Sequence, residues 1–243
     1  MNRSLSIVIP AYNEEKRLPS TLERVLGHLD SSGWDFAEIV VVDDGSSDCT
    51  AAVASDFQAK DPRVRLLRNP GNRGKGYAVR HGMLEARGDW RLFTDADLSA
   101  PIEELEKLME AAQTRGFEVA IGSRALDRSM IGVHQSRLRE NAGRVFNLIM
   151  RTVLGLPLWD TQCGFKLYAA RAAENIFRRQ RLERFGFDAE VLYLARRLGY
   201  RIAEVPVRWN HVEGTKISMF RDSLGMFLDL LRVRWNQLLG RYR

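Results

Sequence analysis

The chain is poor in cysteine. It has two in 243 residues, Cys49 and Cys163, far apart and in no metal or redox spacing. A disulfide framework is thereby excluded, and the two read as reduced thiols of a cytoplasmic protein. Long apolar runs are missing too. The longest stretch without Asp, Glu, Lys or Arg runs from Ser4 to Asn13, ten residues, against roughly 18 for a membrane span. The N-terminus enters a strand pattern directly, so no signal peptide is expected. Histidine is scarce: His28, His81, His134 and His211 are scattered and read as surface or core-edge residues. Basic residues exceed acidic ones by 37 to 31, a net charge of +6. That balance suits anionic partners, either phosphorylated substrates or a membrane surface. The basic residues form no Lys/Arg runs and no nucleic-acid signature appears, so nucleic acid is not an expected partner.

What is present is a regular alternation. Leu5 to Pro10, Glu38 to Val42, Arg63 to Leu67, Asp89 to Thr94 and Phe117 to Gly122 are short apolar runs that read as strands. Between them lie helical spacings, such as Leu18, Leu22, Val25, Leu26 and Leu29, ended by Gly33. Asn13 is the expected N-cap of that first helix, and Ser46 or Ser47 of the second. The pattern predicts an α/β domain with a mostly parallel sheet covered by helices on both faces. The second half is less regular. Helices are expected over Arg137–Val153, Ala170–Arg178 and Asp188–Leu198, with a short strand at Leu167–Tyr168 and a last one over Arg201–Val207. The chain divides into a domain over residues 1–213 and a segment over 214–243.

The first four strands each end in a polar cluster. These are Tyr12 to Glu14, Asp43 and Asp44, Gly71 to Lys75, and Asp95 with Asp97. In open parallel sheets ligands bind outside the carboxyl ends of the strands, so four such clusters point to one site. Asp95 and Asp97 are two carboxylates one residue apart after a strand. Their hard oxygens suit Mg²⁺ or Mn²⁺, ions that keep waters and bind substrate phosphates. Taken alone, the same turn also reads as a simple helix cap. Familiar nucleotide motifs do not fit. Gly71-Asn72-Arg73-Gly74-Lys75-Gly76 lacks the spacing and the hydroxyl of a Walker A loop. The turn after the first strand has no glycine, which rules out the dinucleotide fingerprint.

Together, Ser6 to Glu14, Val42-Asp43-Asp44-Gly45-Ser46, Gly71 to Gly76 and Asp95-Ala96-Asp97 resemble glycosyltransferase family 2, with its GT-A (Rossmann-like) fold. Gly122-Ser123-Arg124, Asp160 to Lys166 and Glu213-Gly214-Thr215-Lys216 extend the resemblance to the polyprenyl-phosphate sugar transferases, nearest the dolichyl-phosphate glucosyltransferase branch. The resemblance implies a nucleotide-diphosphate sugar as donor. Pro10, Tyr12 and Glu14 would line the nucleoside pocket, and Asp43, with its neighbour Asp44, would hold base or ribose. Lys75 and Ala96 would lie by the nucleotide. Asp95 and Asp97 would anchor the diphosphate through Mg²⁺ or Mn²⁺.

The implied acceptor is a polyprenyl phosphate, already anionic, which needs no strong general base. Holding two anions together calls for arginine and lysine. Arg124, Arg137, Arg139, Lys166 and Lys216 are the candidates, Arg124 and Lys216 matching the family motifs best. Ser99 stands where mannose-transferring relatives often carry Gln. His211 to Lys216 lacks the Arg those relatives place ahead of a similar stretch. Both departures favour glucose from UDP-glucose, with inversion to a β-linked product. GDP-mannose as donor and a glycan hydroxyl as acceptor are the alternatives within the class. A hydroxyl acceptor would need a base, for which Asp188 is best placed, although it also reads as a first-turn acid of a helix. A non-catalytic nucleotide-sugar or lipid-surface binding protein is the reading from another class.

The end of the chain, from about Met219 to Leu239, is an amphipathic helix with the stripe Phe220, Leu224, Phe227, Leu228, Leu231, Trp235 and Leu238. After Asp229 it carries Arg232, Arg234, Arg241 and Arg243 and no acid. Such a helix suits an anionic lipid surface, and the expectation is a protein peripheral on the cytoplasmic face of a membrane. Packing on a second copy or on a membrane partner protein is the competing use of the same stripe.

Overall fold

The structure is a computed structural model that describes residues 3–133, 147–210 and 221–243. Its centre is a seven-stranded sheet of order β3-β2-β1-β4-β7-β5-β8. The strands are β1 (Ser4–Ala11), β2 (Phe36–Asp43), β3 (Val64–Arg68), β4 (Trp90–Thr94), β5 (Val119–Ser123), β7 (Phe165–Ala169) and β8 (Ile202–Pro206). β6 (Ile131–Val133) and β9 (Trp209–Asn210) form a separate two-stranded parallel pair that the sequence pattern does not reveal. The helices are α1 (Leu18–Ser31), α2 (Thr50–Lys60), α3 (Lys75–Glu85), α4 (Leu105–Arg115), α5 over 147–154, α6 (Ala170–Arg179), α7 (Phe187–Arg197) and α8 (Arg221–Leu238).

Side chains alternate across the strands, so an unbroken apolar run supplies two cores. Ile7, Ile9, Ile39, Val41, Leu92 and Leu167 face α1 and α4. Val8, Val40, Val42, Phe93, Ile121 and Tyr168 face α3, α6 and α7. Every pairing is parallel except those of β7, which runs antiparallel to both β4 and β5. This one reversal has a consequence for the site. Thr94 at the end of β4 pairs with Phe165 at the start of β7. The turn that precedes β7, Asp160 to Gly164, therefore lies at the same sheet edge as the carboxyl ends of β1, β2 and β4. A parallel β7 would have carried it to the opposite edge.

Two capping expectations are corrected. Asn13 does not cap α1, which begins at Leu18; it adopts φ 54° and its side-chain oxygen accepts from Ser47 N at 2.8 Å. Ser46 does not cap α2 either. Its hydroxyl accepts from Asn13 N at 2.9 Å, while Asp48 accepts from Thr50 N at the start of that helix. These polar groups serve loop-to-loop contacts because the β1–α1 and β2–α2 turns lie side by side.

Leu230, Val233 and Tyr242 of the last segment join the core that contains α7. The Tyr242 hydroxyl donates to Glu190 at 2.6 Å, and Arg181 donates twice to the Arg241 carbonyl. The expected 214–243 segment is thus fastened onto the domain over its described part. Gly186 makes the close approach possible: a Cβ there would lie 2.6 Å from Asp229 Cβ.

Candidate active site

Asp95 and Asp97 follow β4 directly, at the edge where the strands of the first half end. The turn is held from three sides. Asp95 N donates to Gly164 O at 3.2 Å, Ser99 N to Asp97 Oδ1 at 2.9 Å, and the Thr21 hydroxyl of α1 to Ala96 O at 2.6 Å. Leu98 takes a left-handed φ of 45°, which turns the chain back under the pair. Both carboxylates stay partly open to solvent while Ala96 and Leu98 are buried.

Lys75, the first residue of α3, places Nζ 2.6 Å from Asp95 Oδ1. Burial works against its charge, but the Asp95 and Asp188 carboxylates outweigh it and hold the ammonium above the usual lysine range. Its Nζ also sits 5.3 Å from the centroid of the Phe93 ring. Lys166 occupies the same ring, with Nζ 5.7 Å from the centroid. Lys166 is fully buried, paired with Asp188 and bonded to Cys163 O at 2.6 Å. This corrects the expectation of an acceptor-phosphate lysine: its charge lies behind the site and is already matched. Asp188 stands in the first turn of α7, buried, and burial pushes its carboxyl upward against the pull of Lys166 and Lys75.

Arg124 follows β5 and is clamped by Asp160. Its Nε and Nη2 donate to the two carboxylate oxygens at 2.7 and 2.9 Å, and its backbone N donates at 3.0 Å. Burial opposes the Asp160 charge, yet the guanidinium holds the carboxyl below its usual range. The guanidinium carbon also lies 5.4 Å over the Trp209 ring, and Arg124 feels the Asp95 charge. Cys163, buried beneath this cluster, is pushed up to about 12 by burial and by Asp160.

On the other flank, Asp43 is buried and accepts from Ser46 N at 3.1 Å. Asp44 was expected at the nucleotide. Its carboxylate instead gathers the glycine-rich loop: Asn69 Nδ2, Arg73 N and Gly74 N donate to it at 2.7, 3.1 and 2.7 Å. Asn69 is held in turn by His81 Nδ1 at 2.8 Å. Gly45 and Gly71 touch, so that a Cβ on Gly45 would lie 2.6 Å from Gly71 Cα. Pro10 and Tyr12 close β1 beside these loops, Tyr12 exposed, and Glu14 is salt-bridged to Arg17 at 2.8 Å. Arg137, Arg139 and Lys216 lie outside the described residues. Asp160 and Gly164 as positioning residues, and the His81–Asn69–Asp44 chain, were missed as such; for the last no local signal existed.

A cavity of about 360 Å³ opens at the opposite edge, lined by Trp34, Phe36, Arg63 and Arg65. Arg63 is paired with Asp30 and Asp61 and Arg65 with Glu38, and no site residue reaches it.

The order of these clusters along one sheet edge is matched by a known family. The model of Glycosyl transferase family 2 covers residues 6–177. The chain belongs to glycosyltransferase family 2. Among family relatives, a dolichyl-phosphate beta-glucosyltransferase of Drosophila melanogaster is 40% identical over 98% of this chain and 77% of its own length. The Homo sapiens protein of the same name is 37% identical over 99% of this chain and 78% of its own length. Among solved structures, Mycobacterium tuberculosis glucosyl-3-phosphoglycerate synthase superposes with a TM-score of 0.70 at 22% identity, over 95% of this chain and 80% of that one. A complex of that synthase with Mn²⁺, UDP-glucose and phosphoglyceric acid gives a TM-score of 0.68 at 21% identity, over 95% of this chain and 79% of that one. The fold is GT-A, and this glycosyltransferase carries it through the mostly parallel sheet described above.

The donor set of the site fits a divalent ion only in company. Among the described residues no group of three or more His, Cys, Asp or Glu side chains converges. Asp95 and Asp97 provide two hard carboxylates at an open edge. Mg²⁺ and Mn²⁺ are commonly held by one or two carboxylates, with waters and substrate phosphates completing the shell.

Proposed function

We propose that the protein transfers glucose from UDP-glucose to a polyprenyl phosphate of the dolichyl type, with inversion to a β-linked product. One observation carries the choice of acceptor. Asp188, the residue placed to serve as a base, is buried and neutralised by Lys166, whereas Arg124 and Lys75 bring positive charge around Asp95. A hydroxyl acceptor needs a base; a phosphate acceptor is already an anion and needs cations. The names of relatives matched over 98% of this chain support the same acceptor and sugar. Mn²⁺ and UDP-glucose in the solved neighbours support the donor and the metal.

In this reading Asp95 and Asp97 would hold a divalent ion at the donor diphosphate. Bound there, the ion supplies Lewis-acid stabilisation of the charge on the leaving nucleoside diphosphate. Pro10, Tyr12, Glu14 and Asp43 form the nucleoside side of the cleft. Lys75 adds a second positive charge at the diphosphate. Arg124, held rigid by Asp160, presents its remaining edge to the acceptor phosphate, and an oriented guanidinium loses little entropy in doing so.

The C-terminal helix supports a lipid setting. Leu230 and Val233 are buried on the domain, while Phe227, Leu228, Leu231, Trp235, Leu238 and Leu239 stand exposed on the other side. Arg232, Arg234, Arg241 and Arg243 are exposed beside them. An outward apolar row with basic flanks suits the interface of an anionic bilayer, where the acceptor resides. No helix among the described residues is long and apolar enough to cross a membrane. A peripheral position on the cytoplasmic face follows from this reading.

The deciding experiment incubates purified protein with a polyprenyl phosphate, Mn²⁺ and a panel of nucleotide sugars. A lipid-linked glucose from UDP-glucose is expected. Product from GDP-mannose alone would overturn the sugar, and the absence of lipid-linked product with every donor would overturn the acceptor.

A further inference from the structure

The diphosphate anchor already holds a cation of the chain's own. Asp95 Oδ1 is paired with Lys75 Nζ at 2.6 Å. The other side of that carboxylate lies against Gly164, so closely that a Cβ there would be 2.5 Å from Asp95 Cγ. Asp97 keeps Oδ1 on Ser99 N at 2.9 Å. A divalent ion arriving alone therefore meets the ammonium of Lys75 on Asp95.

The other cations nearby cannot take this part. Lys166 has its own buried partner in Asp188, and Arg124 has Asp160. Among the described residues, Lys75 alone is paired with a carboxylate of the anchor. It sits at the first position of α3, with 23% of its side chain open to solvent, and it packs on the Phe93 ring. A short swing of its Nζ from Asp95 leaves the rest of the cluster in place.

We propose that Lys75 is a latch that couples the metal to the nucleotide. Without donor it neutralises Asp95. When a nucleoside diphosphate enters with a divalent ion, the ammonium passes to a diphosphate oxygen and Asp95 turns to the ion. The ion therefore binds weakly by itself and tightly with the diphosphate, and by linkage the diphosphate binds tightly only with the ion. Both ligands stay out of the site until they can arrive as one neutralised unit, which protects Asp95 from futile occupation. The proposal rests on the assignment of Asp95 and Asp97 to the metal–diphosphate complex, but on neither the sugar nor the acceptor.

The test is a Mn²⁺ titration of the full chain, followed by the electron paramagnetic resonance signal of free Mn²⁺, with and without saturating UDP or GDP. Wild type, Lys75→Met and Lys75→Arg are compared, with thermal unfolding to check each fold. Lys75→Met should bind Mn²⁺ alone about 5- to 150-fold more tightly than wild type, the range of ordinary coupling energies. Its affinity should then respond little to nucleotide. Lys75→Arg, which keeps the ion pair, should follow wild type. Equal Mn²⁺ affinity of Lys75→Met and wild type without nucleotide would overturn the latch. Should Lys75→Met not fold, wild type still decides: a Mn²⁺ affinity unchanged by both nucleotides overturns it as well. Failure of the glucosyl-lipid reading shows elsewhere, as a missing lipid product with Mn²⁺ coupling intact.

Discussion

Gly164→Ala perturbs the anchor through a single contact. An alanine Cβ at this position would lie 2.5 Å from Asp95 Cγ and 2.9 Å from Oδ1, and closer still to Oδ2. Non-bonded carbon contacts settle near 3.5–4.0 Å, so the carboxylate must retreat by roughly 1 Å. The backbone of Gly164 is not left-handed, and alanine brings no φ strain there. The expected cost in stability is that of an overpacked site, about 1–3 kcal/mol, towards the lower end because Asp95 can move outward. The cost in activity should be larger in relative terms. A misplacement of about 1 Å in a positioning group lowers rate by about 100-fold. In free energy that is about 2.7 kcal/mol at the transition state. The assay is kcat/KM for glucose transfer with Mn²⁺, beside urea unfolding at the same pH. Gly27→Ala is the control: it lies in α1 with nothing within 4 Å of an added Cβ. It should leave activity unchanged and stabilise the helix by up to about 1 kcal/mol. If Gly164→Ala stays within about threefold of wild type in kcat/KM, the position of Asp95 does not govern the reaction.

Asp44→Ala should lower stability by about 2–4 kcal/mol in urea unfolding, because a buried carboxylate that holds three donors is removed and the donors are left unmatched. A loss below about 0.5 kcal/mol would mean the glycine-rich loop does not depend on it. Leu231→Glu with Trp235→Glu should abolish sedimentation with phosphatidylglycerol vesicles. Both residues are exposed, so the urea midpoint should move by under about 0.5 kcal/mol. Retained vesicle binding refutes the lipid face, and dissociation of a dimer by the same variant would assign it to a second copy. Asp188→Asn should cost about 3–5 kcal/mol by leaving Lys166 charged and buried without its counter-charge, and a paired Asp188→Leu, Lys166→Met change should recover much of it. The single variant is therefore a poor probe of base catalysis. Asp160 has a pKa below its unfolded value of 3.8, so its stabilising effect is complete above that value and lost as pH falls through the folded one. The stability gap between wild type and Asp160→Asn should hold from pH 5 upward and shrink below about pH 4. A gap that is constant down to pH 2 would refute the clamp.

Much of the first half was legible because its signals are local. A run such as Ile7-Val8-Ile9 must be buried on both faces, and a polar turn after each run must lie at the carboxyl edge if the strands are parallel. The Asp95-Ala96-Asp97 turn was legible for the same reason. The functions of individual polar residues were not. Asp44 reads like Asp43 in the sequence, yet it faces a loop 25 to 30 residues onward and binds its backbone. Lys166 reads as a free cation until Asp188, 22 residues away, is brought beside it in the core. The amphipathic stripe of α8 was legible, but not that it faces outward while Leu230 and Val233 make the contact with the domain.

By itself the sequence determined the alternation of strands and helices, the edge at which chemistry gathers and the family to which the chain belongs, because periodicity and turn residues act over a few neighbouring positions. The tertiary structure decided which charges remain available. Lys75, Arg124 and Lys166 are all cations in the sequence; one pairs with the partly open Asp95, one is clamped by Asp160 and one is sealed beneath. That distinction depends on the antiparallel return of β7, which brings Asp160 and Gly164 to Asp95. Burial and pairing of a charge are set by what lies across space from it, and no local pattern carries that information.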